Sequence, residues 1–429
     1  MRTLGKRLGA TALAGVLGLA LALAGTASAG AATKTVLSGA GSDTIYFLMA
    51  GSPNGAAHTH GGLDDLYNKF KKKVANVTEI PPSNSVATGF PASVTVPADA
   101  GCPKTSPWHS NGSYTWDSSD AAHTPPNGSS AGITALQNDD AGAHPGCLVD
   151  FARSSRGLGA ASDTPDLESY AIALDAVSWS VIGTGAHANS AAPANLSVNQ
   201  LADIYTCGAD GKPKASNWKQ VGGKNAAIVK YAPQAGSGTL SFFQTSLLGG
   251  ATVDSGCNAA NLSHRAEENQ LSTRCKNNDQ TCASGTQPIP TADLGKLISP
   301  FSYAKWNSQK AGSEPDLRNG AVLEKVAGVK PTPQSINEGG ANHFVGTRYV
   351  FTVLTQDEPT YAAAASYVGI NQKTLKNGFL CQDQGDAAHV KSRRQIVAVL
   401  KAFGFTPLTD QVEGPGDPRG FCRFNPTPL

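Results

Sequence analysis

Three times along this chain, glycine and hydroxyl residues gather just before an apolar stretch with helical spacing. The first is Ser38-Gly-Ala-Gly-Ser-Asp-Thr44, which follows the strand-like Thr35-Val-Leu37 and runs into Ile45-Tyr-Phe-Leu-Met49. The second is Asn127-Gly-Ser-Ser-Ala-Gly132, leading into Ile133 and Leu136. The third is Ala235-Gly-Ser-Gly-Thr239, after the strand-like Ala226–Tyr231 and before Leu240, Phe242, Phe243 and Leu247. Glycine lets a backbone turn with positive φ and approach a neighbour closely. A helix that starts there points its unpaired N–H groups and the positive end of its dipole back at the turn. Such a turn seats an anion without a charged side chain. The same residues also make an ordinary capped turn, so one copy alone decides nothing. Strands alternating with helices along the chain argue an α/β fold.

The N-terminus has to be set aside first. Arg2, Lys6 and Arg7 precede an apolar run from Leu8 to Ala24, and Ala27-Ser28-Ala29 offers a small-residue cleavage site. Residues 1–29 read as a secretory signal peptide without a lipid-attachment cysteine. Its loss takes Lys+Arg from 34 to 31 against 32 acids, so the mature chain carries about −1. That balance argues against nucleic acid or anionic membrane as a partner and makes any anion site local. Eight cysteines in an exported chain imply disulfides. Nearest-neighbour pairing is the simplest expectation: Cys102–Cys147, Cys207–Cys257, Cys275–Cys282 and Cys381–Cys422. No CxxC occurs, which argues against a thiolate metal site. His58-Thr59-His60 has no evident third ligand nearby and reads as a solvated loop, so neither a metal nor a cofactor is expected.

Several elements follow from pattern. Leu63–Val77 reads as an amphipathic helix, with Leu63, Leu66, Tyr67, Phe70 and Val74 on one face. Ser42 or Asp43 is suited to cap the helix at 45–49. Residues 80–147 form a polar excursion whose Trp108, Tyr114 and Trp116 are expected to pack the loop. Gly128-Ser-Ser-Ala-Gly132 has the form of a nucleophile elbow, but Thr124-Pro125-Pro126-Asn127 makes a poor strand ahead of it, so no hydrolase is expected. Cys147–Phe151 reads as a buried strand with Arg153, Ser154, Ser155 and Arg156 just past its end, where open α/β sheets bind ligands. The two arginines suit an oxyanion or an internal salt bridge equally. Tyr170–Leu174 and Val177–Ile182 read as strands on either side of Asp175. Leu196–Thr206 reads as a capped helix, Ile298–Trp306 and Tyr349–Leu354 as strands, and 359–368 and 392–403 as helices. Residues 250–290 read as a second polar insertion.

The order of these motifs resembles that of PstS-type phosphate-binding proteins, the extracytoplasmic substrate-binding subunits of phosphate ABC transporters. The resemblance rests on Ser38–Thr44, Asn127–Gly132, Val149-Asp-Phe-Ala-Arg-Ser-Ser155, Asn195–Tyr205 with Asn217-Trp218, and Ala235–Thr239. It implies a two-lobed type II periplasmic-binding-protein fold, with two crossover strands and phosphate held between helix N-termini. It implies a monomeric binding protein rather than an enzyme, serving a permease. The expected lobes are 33–178 plus 300–429, with an insertion at 80–147, and 179–299. The expected ligand contacts are Ser42, Asp43, Thr44, Ser129, Ser130, Arg153, Ser155, Arg156, Ser237, Gly238 and Thr239. Two departures stand out. Ser155 stands where the family has an Asp that accepts the proton of hydrogen phosphate, and Pro233 stands where it has an Arg. Arg153 or Arg156 is the candidate replacement cation and Asp43 the candidate acceptor. A sensor or adhesion protein reusing the fold is the alternative.

Overall fold

The structure is a computed structural model. It describes residues 36–54, 56–71, 73–83, 90–97, 113–120, 123–140, 148–182, 190–340, 342–358, 360–371, 376–382, 390–408, 421–427 and 429, all within one compact unit, Thr33–Leu429. The signal segment, Trp108 and the Cys102–Cys147 pair lie outside the described residues.

A mixed sheet forms the frame. Its main path runs Asn76–Glu79, Val36–Gly41, Phe151–Ser154, Thr347–Thr355, Leu167–Ile182, Leu297–Ser302, Val229–Pro233 and His264–Ala266. The outer pairs are parallel at both ends, and the strands around Leu167–Ile182 are antiparallel. Leu167–Ile182 is one unbroken strand of 16 residues, buried throughout. Its first part, through Ala176, pairs with Thr347–Thr355; from Val177 onward it pairs with Leu297–Ser302 and Ala321–Leu323. One strand thus serves two sections of sheet, which gives the α/β, two-lobed arrangement. Two separate strands around Asp175 were expected. Asp175 does not break the strand, because Arg348 pairs with it and the Ser302 hydroxyl and Ala304 N–H donate to it.

Helices cover the first section. Leu37, Ile45–Met49, Leu63, Tyr67, Tyr361, Ala364, Ile396, Leu400 and Phe403 share one apolar cluster, which also takes in Ala304. The other cluster joins Ile133 and Leu136 to the core of the second section, where Trp179 and Trp218 lie 6.2 Å apart. Each indole N–H finds a carbonyl, Lys325 O at 2.8 Å and Lys296 O at 2.9 Å, as buried tryptophans require.

Local chemistry explains the other differences from expectation. The Leu63 helix ends at Asn68 rather than running to Val77. The Asn68 side chain bonds both Val77 N (2.8 Å) and Val77 O (3.0 Å), turning the chain into strand Asn76–Glu79 and leaving Val74 exposed. Leu297–Ser302 stops where the Ser302 hydroxyl caps helix Tyr303–Ala311, so Trp306 is helical. Ser197 and Gln200 form a reciprocal capping box on Val198–Tyr205. The strand before the arginines is Phe151–Ser154, so Arg153 and Ser154 belong to it and only Ser155 and Arg156 lie past its end. Tyr114 and Trp116 pack edge to face, 4.9 Å apart, on a hairpin of Ser93–Pro97 and Ser113–Asp117. Disulfides join Cys207–Cys257, Cys275–Cys282 and Cys381–Cys422.

Candidate functional site

The three glycine–hydroxyl turns meet. The first leaves strand Val36–Gly41, where Ser42 N donates to Arg153 O (3.0 Å) and Ser42 Oγ donates to Ser155 Oγ (3.1 Å). Neither Ser42 nor Asp43 caps the next helix; it starts at Tyr46, with Ile45 at its cap position. The second turn holds Gly128 at φ 91°, backed onto the third turn so closely that a Cβ there would fall 2.6 Å from Gly236 O. Helix Ser129–Asp140 follows it. Asn127 makes only a single bridge, to Gly41, in place of the strand a nucleophile elbow needs. In the third turn the Ser237 hydroxyl caps helix Gly238–Phe242, accepting from Leu240 N at 3.0 Å.

Ser155 links all three. Its N–H donates to Ser129 Oγ at 2.9 Å, its hydroxyl lies 3.3 Å from that oxygen, and a Cβ on Gly238 would sit 2.2 Å from Ser155 Oγ. Ser42, Asp43, Thr44, Ser129, Ser155, Ser237, Gly238 and Thr239 are all buried, and Ser130 is partly exposed.

Two residues that the sequence did not single out complete the site. Glu268 reaches in from the 250–290 segment, and its Oε1 accepts from Thr44 Oγ1 (2.6 Å), Thr239 N (3.2 Å) and Thr239 Oγ1. Arg348, at the head of strand Thr347–Thr355, donates to Thr239 Oγ1 (3.0 Å), Ser155 O (3.0 Å) and Asp175 Oδ2 (2.8 Å). The Thr239 hydroxyl therefore relays from Arg348 to Glu268. The only sequence signal for Arg348 was a charge heading the apolar run Tyr349–Leu354. For Glu268 it was an acidic pair in a polar insertion.

The charges sort accordingly. Burial pushes the Glu268 carboxyl up, but Arg348 and the hydroxyls of Thr239 and Thr44 outweigh it and hold Glu268 below the ordinary glutamate value. Asp43 goes the other way: burial first, then the Glu268 carboxylate, raise it well above the ordinary aspartate value. Asp43 thus holds its proton more tightly than an ordinary aspartate, beside a Glu268 that gives its own up more readily than an ordinary glutamate.

The arginines named from sequence have other partners. Arg153 is fully buried; it pairs with Glu79 and donates to the carbonyls of Gly39 (2.8 Å), Ile80 (2.9 Å), Ser42 (3.3 Å) and Gly41 (3.4 Å). It braces the first turn from below. Arg156 forms a two-pronged pair with Asp163, both bonds 2.8 Å, and donates to Ser130 Oγ at 3.0 Å. Arg348 is the cation whose bonds reach Thr239 and Ser155.

Among the described residues three cavities reach the seat; the smallest, about 10 Å³, lies against Asp43, Glu268, Asn269 and Lys305, and the other two are larger. One of about 410 Å³ touches Ser155 and Arg348 and runs past Arg156, Phe242 and Tyr349. The other, about 790 Å³, touches Asn127 and Gly236 and runs past Glu267 and Gln270. His58 and His60 are exposed. Among the described residues no three His, Cys, Asp or Glu side chains cluster as metal ligands, and no helix is long and apolar enough to cross a membrane. The hydroxyl of Ser129 bonds Ser155, that of Ser130 accepts from Arg156, that of Ser155 accepts from Ser42, and that of Ser237 accepts from Leu240 N.

A domain described as the PBP superfamily domain matches residues 116–365, more than half of the chain. No curated protein matches. Among solved structures, a putative phosphate ABC transporter substrate-binding protein with bound phosphate from Clostridium perfringens is 14% identical, covers 87% of this chain and 100% of its own, and has a TM-score of 0.46. An ABC-type phosphate transport receptor from Vibrio cholerae is 19% identical, covering 65% and 85%, with a TM-score of 0.38. PstS from Borrelia burgdorferi is 15% identical, covering 87% and 98%, with a TM-score of 0.38. On the extent of the domain match, the chain belongs to the PBP superfamily.

Proposed function

We propose that this chain is an exported solute-binding protein that takes phosphate, or a related oxyanion, into the cleft between its lobes and delivers it to an ABC transporter permease. One observation carries the ligand class. The Thr44 and Thr239 hydroxyls and the Thr239 N–H converge on a single carboxylate oxygen, with Arg348 bonded behind Thr239. A buried cluster of donors of this kind is chemically suited to an oxyanion. Ser42, Asp43, Ser129, Ser130, Ser155, Ser237 and Gly238 line or shape the same seat. Export rests on the signal segment, and the permease rests on the resemblance to PstS-type proteins. The lobes, 33–178 plus 300–429 and 179–299, close on the ligand as a monomer by bending along Leu167–Ile182.

Binding rather than catalysis is the expected activity, since the Ser130 hydroxyl accepts from Arg156 instead of facing a general base. The test is calorimetric titration of the purified mature protein with inorganic phosphate, sulfate and glycerol phosphate at two pH values. One-to-one saturable binding is expected, and phosphate at 100 times its Kd adds about 2.7 kcal/mol of stability. No binding of any of the three refutes the ligand class. Phosphatase or esterase turnover that disappears in Ser130→Ala refutes the non-enzymatic reading.

A further inference from the structure

Glu268 is held in place by its neighbours. Glu267, Glu268, Asn269 and Gln270 are all buried, between strands His264–Ala266 and Thr273–Cys275. Asn269 sits at φ 59°, a left-handed conformation that asparagine tolerates. Its Oδ1 accepts from Ser302 N (2.9 Å), its carbonyl accepts from Gln309 Nε2 (3.0 Å), and its Nδ2 donates to Thr44 Oγ1 (3.0 Å). Asn269 thus anchors the chain directly after Glu268.

That side chain uses the seat's donors. Thr44 belongs to the turn after Val36–Gly41, in the first section of sheet, and Thr239 to the turn after Val229–Pro233, in the second. Each hydroxyl spends its one donor on Glu268. Thr44 accepts from Asn269 and donates to Glu268; Thr239 accepts from Arg348 and donates to Glu268. A hydroxyl has one proton to donate. A solute oxyanion taking these protons has to replace Glu268, and an anion arriving while the carboxylate stays is repelled at close range.

We infer that Glu268 is a resident carboxylate ligand of the seat, holding the ligand-free cleft closed by bonding both turns at once and yielding its donors to the incoming oxyanion. Uptake is then an exchange of one oxyanion for another. The inference rests on the oxyanion reading of the seat and adds to it a residue that sets affinity.

The experiment uses the full mature chain with Glu268→Ala and Glu268→Gln, and Glu267→Gln as a neighbour control. Glu267 accepts from Asn127 Nδ2 (3.4 Å), whereas the protons of Thr44 and Thr239 go to Glu268. Two probes are titrated: inorganic phosphate by calorimetry and formate by thermal unfolding, with formamide as the neutral isostere. Phosphate is expected to bind Glu268→Gln about tenfold or more tighter than the parent, because a like charge at the seat is gone, with a smaller gain for Glu267→Gln. Formate is expected to raise the melting temperature of Glu268→Ala saturably, and formamide is expected not to. Phosphate binding that is unchanged or weaker in Glu268→Gln overturns the inference, as does an equal gain in Glu267→Gln. Formate that stabilises Glu268→Ala no more than the parent overturns it too. Formate stabilisation of Glu268→Ala with no phosphate binding to any variant supports the resident carboxylate and refutes phosphate as the solute. If Glu268→Ala fails to fold, Glu268→Gln carries the phosphate comparison alone, with the same refuting results.

Discussion

Replacing Gly238 by alanine isolates the contact between the turns. Gly238 opens helix Gly238–Phe242 and is not at positive φ, so its backbone accepts an alanine. At such a position Gly→Ala ordinarily stabilises by about 0.4–1 kcal/mol through the unfolded chain. The surroundings reverse the sign. The new Cβ would lie 2.2 Å from Ser155 Oγ, 2.4 Å from Ser129 Oγ and 3.0 Å from the Ser155 carbonyl carbon, where ordinary contact begins at 3.4 Å. The two hydroxyls hold each other, and the Ser155 carbonyl accepts from Arg348, so the third turn has to back away by about 1 Å. Overpacking of this kind costs about 1–3 kcal/mol. Across about 400 residues at about 2.1 cal/mol/K each, that lowers Tm by about 1–4 °C. Differential scanning calorimetry reads it directly. The loss should shrink in a Ser129→Ala/Ser155→Ala background, which removes the two nearest oxygens. A Tm equal to or above the parent's would refute the reasoning, since it would mean that the turns do not touch in the ligand-free protein.

The remaining predictions concern charge. Arg348→Lys keeps the charge but loses the fork that reaches Asp175, Ser155 O and Thr239 together; urea unfolding should show a loss of about 1.5–3 kcal/mol, and calorimetry a weaker phosphate affinity. Glu79→Gln leaves Arg153 buried without its carboxylate and should cost about 3–5 kcal/mol with the phosphate-to-sulfate preference unchanged. A changed preference would put Arg153 in the seat. Asp43, raised by burial and then by Glu268, keeps a proton in the folded chain that the unfolded chain releases above about pH 3.9. Its contribution is therefore fully present below that pH and is lost as pH rises through the folded pKa. Asp43→Asn should be more stable than the parent at neutral pH, with a flatter pH profile in urea unfolding between pH 4 and 8. An unchanged slope contradicts the assignment.

Much of the site was legible because its signals are local. Glycine, hydroxyl and helix start are neighbours in sequence, so the turns at 42–44, 129–130 and 237–239 stand out, as does the capped helix at 196–206. What was not legible depends on partners distant in sequence. Arg153 suits an oxyanion and an internal salt bridge equally until Glu79 is beside it. Asp175 reads as a strand break until Arg348 and Ser302 satisfy it within a continuous strand. The Leu63 periodicity carries on past Asn68 in sequence, but the Asn68 amide bonds Val77 and ends the helix. Glu268 and Arg348 lack any period or motif, because their roles come only from where the sheet brings them.

The most direct test of the central claim is a crystal structure of the mature protein grown with saturating inorganic phosphate. One phosphate is expected within hydrogen-bond reach of Thr44, Ser129 and Thr239, beside Arg348, with the Glu268 carboxylate withdrawn from both threonines. A cleft without phosphate and with Glu268 still bonded to Thr44 and Thr239 would contradict it.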